Sequence, residues 1–197
     1  MKRVIIAAVA LLCLAGTAAA QRHLEYKWRG FYATVDASYG MNLNRSEGDN
    51  GIADTVSAFG LGFSAGYQFR KEAAVGAGVM YLIDGTGAFS QMPVFFELRS
   101  HLMRSRLTPY TVLQAGYSLP VGASSEAPKV IKITSGGLYF GLSVGARYAI
   151  ERTFAVGAHV DYKMLQSTEV TRHYTNGPQL ADPVILHMLS GGVSLYF

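Results

Sequence analysis

Residues 57–83 read SAFGLGFSAGYQFRKEAAVGAGVMYLI, a stretch in which apolar residues occupy every second position on both sides of a short charged link. The apolar positions are Phe59, Leu61, Phe63, Ala65, Tyr67 and Phe69, followed by Val75, Ala77, Val79, Tyr81 and Ile83. Alternation with a period of two predicts β-strands that each have one apolar face. Because Arg70–Glu72 is a link of a few residues, we expect the two strands to form a hairpin.

The same alternation recurs along the rest of the chain. The runs cover residues 30–43, 57–69, 75–83, 93–103, 109–119, 138–150, 154–164 and 185–197. Each of the eight runs reaches the roughly 9 to 11 residues that a tilted transmembrane strand needs. We therefore predict an all-β chain with eight antiparallel strands.

The lengths of the links also alternate. Short links surround Lys71, Ser105 and Arg152, and long polar links surround Asn50, Ser125 and Asn176. Short turns at one end and longer loops at the other are typical of an outer-membrane β-barrel whose short turns lie in the periplasm. The predicted fold is therefore an eight-stranded up-and-down transmembrane β-barrel.

A soluble β-sandwich also alternates, so the size of the less apolar residues decides between the two folds. Those positions are rich in glycine, alanine and serine, which cover a water-exposed surface poorly but suit a narrow interior. An eight-stranded barrel has an interior that side chains just fill, and strands in lipid must close into a ring because every backbone group needs a partner. The pattern thus favours a barrel in lipid with small and polar residues inside.

Charged and polar residues of both signs fall on the predicted inner face. They are Asp36, Glu97, Arg99, His101, Arg147, His159, Asp161 and Lys163. We expect them to pair in the lumen as a polar network. The outward positions carry aromatic residues near both strand ends, as in the aromatic girdles of such barrels.

The first twenty residues have the layout of a secretory signal peptide. Lys2 and Arg3 precede an apolar stretch that ends in Ala18-Ala19-Ala20, so we expect cleavage before Gln21. Cys13 is the single cysteine and would leave with the signal. Residues 21–28 would form a short periplasmic segment, and residues 29–197 the barrel.

The charge of the mature chain excludes one class of partner. Without Lys2 and Arg3, 15 basic residues oppose 13 acidic ones, a net charge of +2. The basic residues are dispersed and show no cluster with interleaved aromatic residues, so nucleic-acid binding is not expected.

The pattern of residues 29–197 resembles small OmpA/OmpX-type outer-membrane barrels, especially the outer-membrane β-barrel proteins of Bacteroidetes-like bacteria. Its most specific parts are MPVFFELRSHL (92–102), TPYTVLQAGYSL (108–119) and the final Ser194–Phe197. The resemblance implies the outer membrane of a Gram-negative bacterium, contact with its lipids and lipopolysaccharide, and a monomer. It also implies that Phe197 is the terminal signal read by the barrel-assembly machinery.

Two stretches match the nucleophile pattern G-x-S-x-G, with Ser64 and Ser143 at its centre. That motif works at a sharp strand-to-helix turn, whereas both serines stand in the middle of alternating runs. His159 and Asp161 share the inner face with these serines and with His101. A hydrolytic triad needs its nucleophile, base and acid within hydrogen-bond distance of one another, and a shared face alone does not establish that. An interior polar network is the better interpretation.

His187 falls on the predicted lipid face near the outer end of the last run, with Ser190 three residues later. A lipid-facing enzyme would carry a base at such a position, but an interfacial histidine needs no catalytic role. The sequence shows no metal-ligand spacing, phosphate loop or cofactor motif, so we expect no cofactor and no metal.

The long loops are the expected sites of binding, because a rigid scaffold displays them. They are residues 44–54, 120–135 and 167–183, and Lys129, Lys132, Arg172 and His173 could contact lipopolysaccharide phosphates. We expect a non-enzymatic barrel that contributes to envelope integrity or surface interaction. A narrow pore and a lipid-modifying enzyme are the alternatives.

Overall fold

The computed structural model describes residues 29–43, 57–70, 72–84, 90–103, 105–121, 131–133, 136–167, 170–174, 177–181 and 184–197. The predicted signal peptide (1–20), the periplasmic segment (21–28), the first long loop (44–54) and Lys129 lie outside these residues.

Eleven strands form in the described part of the chain, and eight of them are long. The long strands are β1 Gly30–Asn42, β2 Ser57–Arg70, β3 Ala73–Asp84, β4 Ser90–His101, β5 Leu107–Pro120, β7 Gly137–Ala149, β8 Ala155–Ser167 and β11 Val184–Tyr196. The short strands are β6 Ile131–Ile133, β9 Val170–Tyr174 and β10 Gly177–Ala181.

The eight long strands form one closed barrel in which each pairs antiparallel with the next. Closure joins the first strand to the last, with Thr34 opposite Tyr196 and Asn42 opposite Met188. Beyond β11, the backbone of Phe197 exchanges hydrogen bonds of 2.9 and 3.1 Å with Ala33. The ring therefore has no free strand edge, and the predicted fold is confirmed.

The side chains alternate across the barrel wall as the sequence predicts. Phe31 and Phe96 point outward and are 83% and 77% exposed, whereas Glu97 and Arg99 point inward and are 2% and 5% exposed. The exposed face is the apolar one, which is the reverse of a water-soluble sheet protein. No helix among the described residues is long and apolar enough to cross a membrane.

Two inward glycines mark places where neighbouring strands and side chains crowd the wall. A Cβ atom added to Gly116 would lie 2.0 Å from the carbonyl oxygen of Val94, and one added to Gly66 would lie 2.1 Å from that of Val75. Only glycine fits at such distances. These two glycines therefore allow the close approach of neighbouring strands in the barrel wall.

The predicted loops of residues 120–135 and 167–183 contain structure that the alternation did not reveal. Strands β6, β9 and β10 pair into a separate three-stranded sheet in the order β10-β9-β6. Ile131 lies opposite Arg172, and Gly177 lies opposite Tyr174. Segments of three to five residues give little periodic signal, so the sequence pattern does not predict these strands within the two loops.

Candidate functional site

The polar residues predicted to meet in the lumen lie there in two groups. The arginine cluster, nearer the short turns, consists of Tyr32, Thr34, Ser64, Glu97, Arg99, Tyr110 and Tyr196. The lysine cluster, nearer the long connections, consists of Asp36, Ser38, His159, Asp161, Lys163, Ser190 and Ser194. Alternation sets the facing in each case, because residues two apart on a strand share a face.

Glu97 is the centre of the arginine cluster. Its Oε1 atom accepts hydrogen bonds from Tyr32 Oη at 2.8 Å, from Ser64 Oγ at 3.1 Å and from Arg99 Nη2 at 3.1 Å. Ser64 also lies 2.6 Å from Thr34 Oγ1. One buried carboxylate thus joins three strands, β1, β2 and β4, across the lumen.

The guanidinium of Arg99 packs among aromatic rings. Its Cζ atom lies 5.2 Å from the ring centre of Tyr32, 5.1 Å from that of Tyr196 and 6.0 Å from that of Tyr110. Arg147 approaches the same Tyr196 ring at 5.4 Å. A cation over a buried ring face is attracted by the ring quadrupole, so the Tyr196 ring helps to hold both arginines in place.

Lys163 is the centre of the lysine cluster. Its Nζ atom donates to Asp161 Oδ2 at 3.0 Å, to Ser38 Oγ at 3.0 Å and to Ser190 Oγ at 2.8 Å. A lysine ammonium has three donors, and all three are therefore used. The contacts join β1, β8 and β11.

His159 connects the lysine cluster to the rest of the network. Its Nε2 atom lies 3.3 Å from Asp161 Oδ2, and its Nδ1 atom lies 2.9 Å from Ser194 Oγ. Ser194 in turn donates to Asp36, whose other oxygen accepts a hydrogen bond from Thr34 at 3.2 Å. The two clusters therefore form one continuous network.

Ser194, His159 and Asp161 are three residue types of a hydrolytic triad, but their arrangement does not suit that chemistry. Ser194 and Asp161 are 1% and 3% exposed, and the serine proton points to Asp36. The two G-x-S-x-G matches in the sequence are centred on Ser64 and Ser143 instead. Ser64 belongs to the arginine cluster, and Ser143 faces Asp161 across the β7–β8 pair.

Two other histidines considered in the sequence, His101 and His187, belong to neither cluster. His101 is buried near the short turns, where its Nδ1 atom lies 3.3 Å from Gln68 Nε2 and its ring 6.1 Å from that of Tyr110. Ser190 points into the lumen and His187 points outward, so these two residues are on opposite sides of the wall.

Apolar residues fill the lumen beyond the lysine cluster, and sequence reasoning missed this group. We call it the apolar cap: Ala58, Met80, Leu82, Phe95, Tyr139, Leu165, Leu186 and Met188. Leu82 and Leu165 are 1% and 0% exposed. The alternation does place these residues at inward positions, in the halves of their strands that lie away from the short turns.

A cavity of about 20 Å³ lies between the two clusters, bordered by Asp36, Arg99, Tyr110, Lys163 and Tyr196 among others. That volume has room for about one water molecule. Arg99 Nε and Nη1 are buried there without a hydrogen-bond partner among the described residues. The lumen is thus narrow and polar at mid-height, with spare hydrogen-bond donors.

The charges of the lumen network balance. Arg99, Arg147 and Lys163 supply three positive charges, and Asp36, Glu97 and Asp161 supply three negative ones. Among the described residues, no group of three or more histidine, cysteine, aspartate or glutamate side chains could hold a metal ion. Ion pairs and hydrogen bonds link these charged groups inside the lumen.

No family model and no curated protein matches the chain. Three solved structures share its fold over most of their length, each at low sequence identity.

Neisserial surface protein A (NspA) has a TM-score of 0.56 at 17% identity, over 85% of this chain and 97% of that one. The outer membrane protein OprG from Pseudomonas aeruginosa has a TM-score of 0.57 at 12% identity, over 89% and 99% of the two chains. The outer membrane protein AlkL, solved in lipid bilayers, has a TM-score of 0.51 at 16% identity, over 89% and 93%. At these identities the comparison shows the fold, which is that of small outer-membrane β-barrels.

Proposed function

We propose that this chain is an outer-membrane protein of a Gram-negative bacterium and that its barrel is a closed, non-enzymatic scaffold. In this proposal the barrel contributes to envelope integrity or surface interaction, and the sheet β6–β9–β10 belongs to the part that faces the exterior. The observation that carries the proposal is the interlocked lumen.

The exposed face supports a place in lipid. Outward side chains such as Phe31, Phe96 and Leu138 are large, apolar and more than 60% exposed. Apolar surface in water costs roughly 25 cal/mol per Å², and a bilayer removes that cost. A closed ring also satisfies the backbone within the protein, as lipid requires.

The interlocked lumen supports a closed barrel. Glu97 and Lys163 each hold partners from three strands, as described above. Ion passage would have to separate buried pairs, and breaking such a pair by removing one partner costs about 3 to 5 kcal/mol. The apolar cap adds a second barrier, because its side chains carry no charge and its one hydroxyl, that of Tyr139, already donates to Gln114 at 2.8 Å.

Planar-bilayer recording tests this function. A heat-dependent shift in gel mobility first shows that the protein is folded, and we expect the folded protein to give no steady conductance steps after reconstitution into the bilayer. A channel-forming porin in the same bilayer serves as the positive control. Steady single-channel conductance by the wild type would overturn the closed scaffold and favour the narrow pore.

The proposal includes partners and localisation. Phe197 has a 53% exposed side chain at the end of the barrel wall, where assembly machinery could reach it. Lipids and lipopolysaccharide are the proposed surroundings, and a monomer the proposed state. The finer resemblance to proteins of Bacteroidetes-like bacteria stays a prediction.

The absence of enzyme activity needs its own test. Mass spectra of lipid A from cells with and without the protein should be identical if the barrel is not a lipid-A-modifying enzyme. A mass difference that disappears in a His187→Ala strain would instead indicate catalysis at the outer face.

A further inference from the structure

The outward face of the barrel contains one exception to its apolar character. Among the outward positions of the eight barrel strands that the structure describes, His187 is the only histidine, aspartate, glutamate, lysine or arginine. Ionisable residues facing lipid are costly and mark functional sites. The position of His187 therefore needs a physical explanation.

Tyr162 holds the His187 ring in a defined orientation. Tyr162 Oη lies 2.6 Å from His187 Nδ1, and the two rings stack with centroids 5.9 Å apart and an angle of 28°. The two residues stand on the neighbouring strands β8 and β11, where Tyr162 faces Leu189 and His187 faces Met164. When the tyrosine donates to Nδ1, the ring carries its proton on Nε2 and can donate from there.

The height of the pair follows from the strand geometry. His187 stands ten positions before Phe197 in the sequence. At a rise of about 3.3 Å per residue and a tilt of about 40°, ten residues climb about 25 Å. The apolar band of such barrels is also about 25 Å tall, so His187 lies at its outer boundary if Phe197 lies at the inner one.

We propose that His187 and Tyr162 form a contact for the phosphate group of an outer-leaflet lipid, specifically phosphorylated lipid A. The inference rests on the proposed function, which sets the orientation of the barrel in the outer membrane. At this height the ring meets headgroups, and phosphate oxygens are strong acceptors for an imidazole N–H. Leu43, whose backbone N–H donates to the His187 carbonyl at 2.7 Å, and Ile185 and Leu189, two residues to either side of His187, are 49%, 42% and 43% exposed. They give the neighbouring outward face an apolar surface suited to acyl chains.

Lipid retention in nanodiscs tests the contact. The full-length mature chain is inserted into phosphatidylcholine nanodiscs that contain increasing amounts of either bisphosphorylated or dephosphorylated lipid A. The lipid A that stays bound to the protein is then quantified by mass spectrometry. We expect the wild type to retain the bisphosphorylated form more strongly. His187→Ala should bind it about tenfold more weakly, equal to about 1.4 kcal/mol.

Three variants separate phosphate recognition from packing. His187→Gln keeps an N–H donor near the Nε2 position and should retain most of the binding, whereas Tyr162→Phe loses the orienting hydroxyl and should bind less. Leu189→Ala, on the same face and 43% exposed, should not change the preference for phosphate.

The outcomes separate an error in this inference from an error in the proposed function. Equal losses in His187→Ala and Leu189→Ala, or equal retention of the two lipid A forms, would overturn this inference while the barrel still inserts. Loss of the preference in excess inorganic phosphate would show that the site takes free phosphate and would overturn the assignment to a lipid. Failure of the wild type to insert at all would contradict the proposed function and this inference with it.

Discussion

Asp161 and Lys163 form an ion pair of 3.0 Å inside the barrel although they stand two residues apart on one strand. Neither side chain is more than 4% exposed. A strand places both on the same face, and the closed ring removes both from water. The barrel should therefore be stable with the complete pair or with neither charge, and less stable with one buried charge alone.

Removal of one partner tests this dependence. Asp161→Ala leaves the ammonium of Lys163 buried without its carboxylate, and we expect a loss of about 3 to 5 kcal/mol in the free energy of unfolding. Urea unfolding in lipid vesicles measures it. The double variant Asp161→Leu, Lys163→Met should be closer to the wild type, and a double variant that loses as much as Asp161→Ala or more would contradict the argument.

Arg99 should not be replaceable by lysine. A lysine keeps the charge but not the planar group that packs against Tyr32 and Tyr196, so Arg99→Lys should lower stability by about 1 to 2 kcal/mol. Arg106 lies 4.9 Å from the ring of Tyr148 outside the lumen and gives a matched control. Arg106→Lys should change stability by less than about 1 kcal/mol, and equal effects of the two changes would contradict a special role of the buried stack.

Glycine should be required at some positions of the wall and not at others. Gly116→Ala places a Cβ atom 2.0 Å from the Val94 carbonyl and should cost about 1 to 3 kcal/mol. Gly191 provides the control, since its nearest atom would lie 3.9 Å away, and Gly191→Ala should be neutral or slightly stabilising. Heat-modifiable gel mobility after refolding compares the two, and equal refolding yields and midpoints would show that the close approach is unimportant.

The facing of the wall can be tested on β7 with two adjacent residues. Val144 is 57% exposed and Ser143 is 8% exposed. Val144→Arg should cost about 2 to 4 kcal/mol if it lies near the bilayer midplane. Ser143→Ala removes only a hydroxyl and should cost about 1 kcal/mol, so the reverse order in vesicle unfolding would mean that the faces are exchanged.

The strands and their two faces could be predicted because apolar residues alternate along the sequence with a period of two. The residues 57–83 form β2 and β3 with the predicted facing, and the other six runs also become barrel strands. A proline made the predicted start of one strand inaccurate. The fourth run was expected to begin at Pro93, but β4 begins at Ser90 and pairs with β3 on both sides of that proline, because a missing amide interrupts a ladder without ending the strand.

The candidate site could be predicted only as a set of inward residues. Alternation places Glu97, Arg99, His159, Asp161 and Lys163 on the inner face, but it says nothing about contacts across the lumen. The partner of His159 is Ser194 on β11, 35 residues away, and a partner of Lys163 is Ser38 on β1, 125 residues away. Those contacts depend on which strands close the ring and in which register.

The sequence by itself therefore determined the number of barrel strands, their two faces and the end at which the turns are short, since each follows from residues near one another in the chain. Only the tertiary structure decided that the lumen contains one linked network, that an apolar cap packs in the half of the lumen away from the short turns and that two long connections pair into a sheet. The reason is physical. Closing β11 against β1 brings distant residues within hydrogen-bond distance, and no local period encodes that closure.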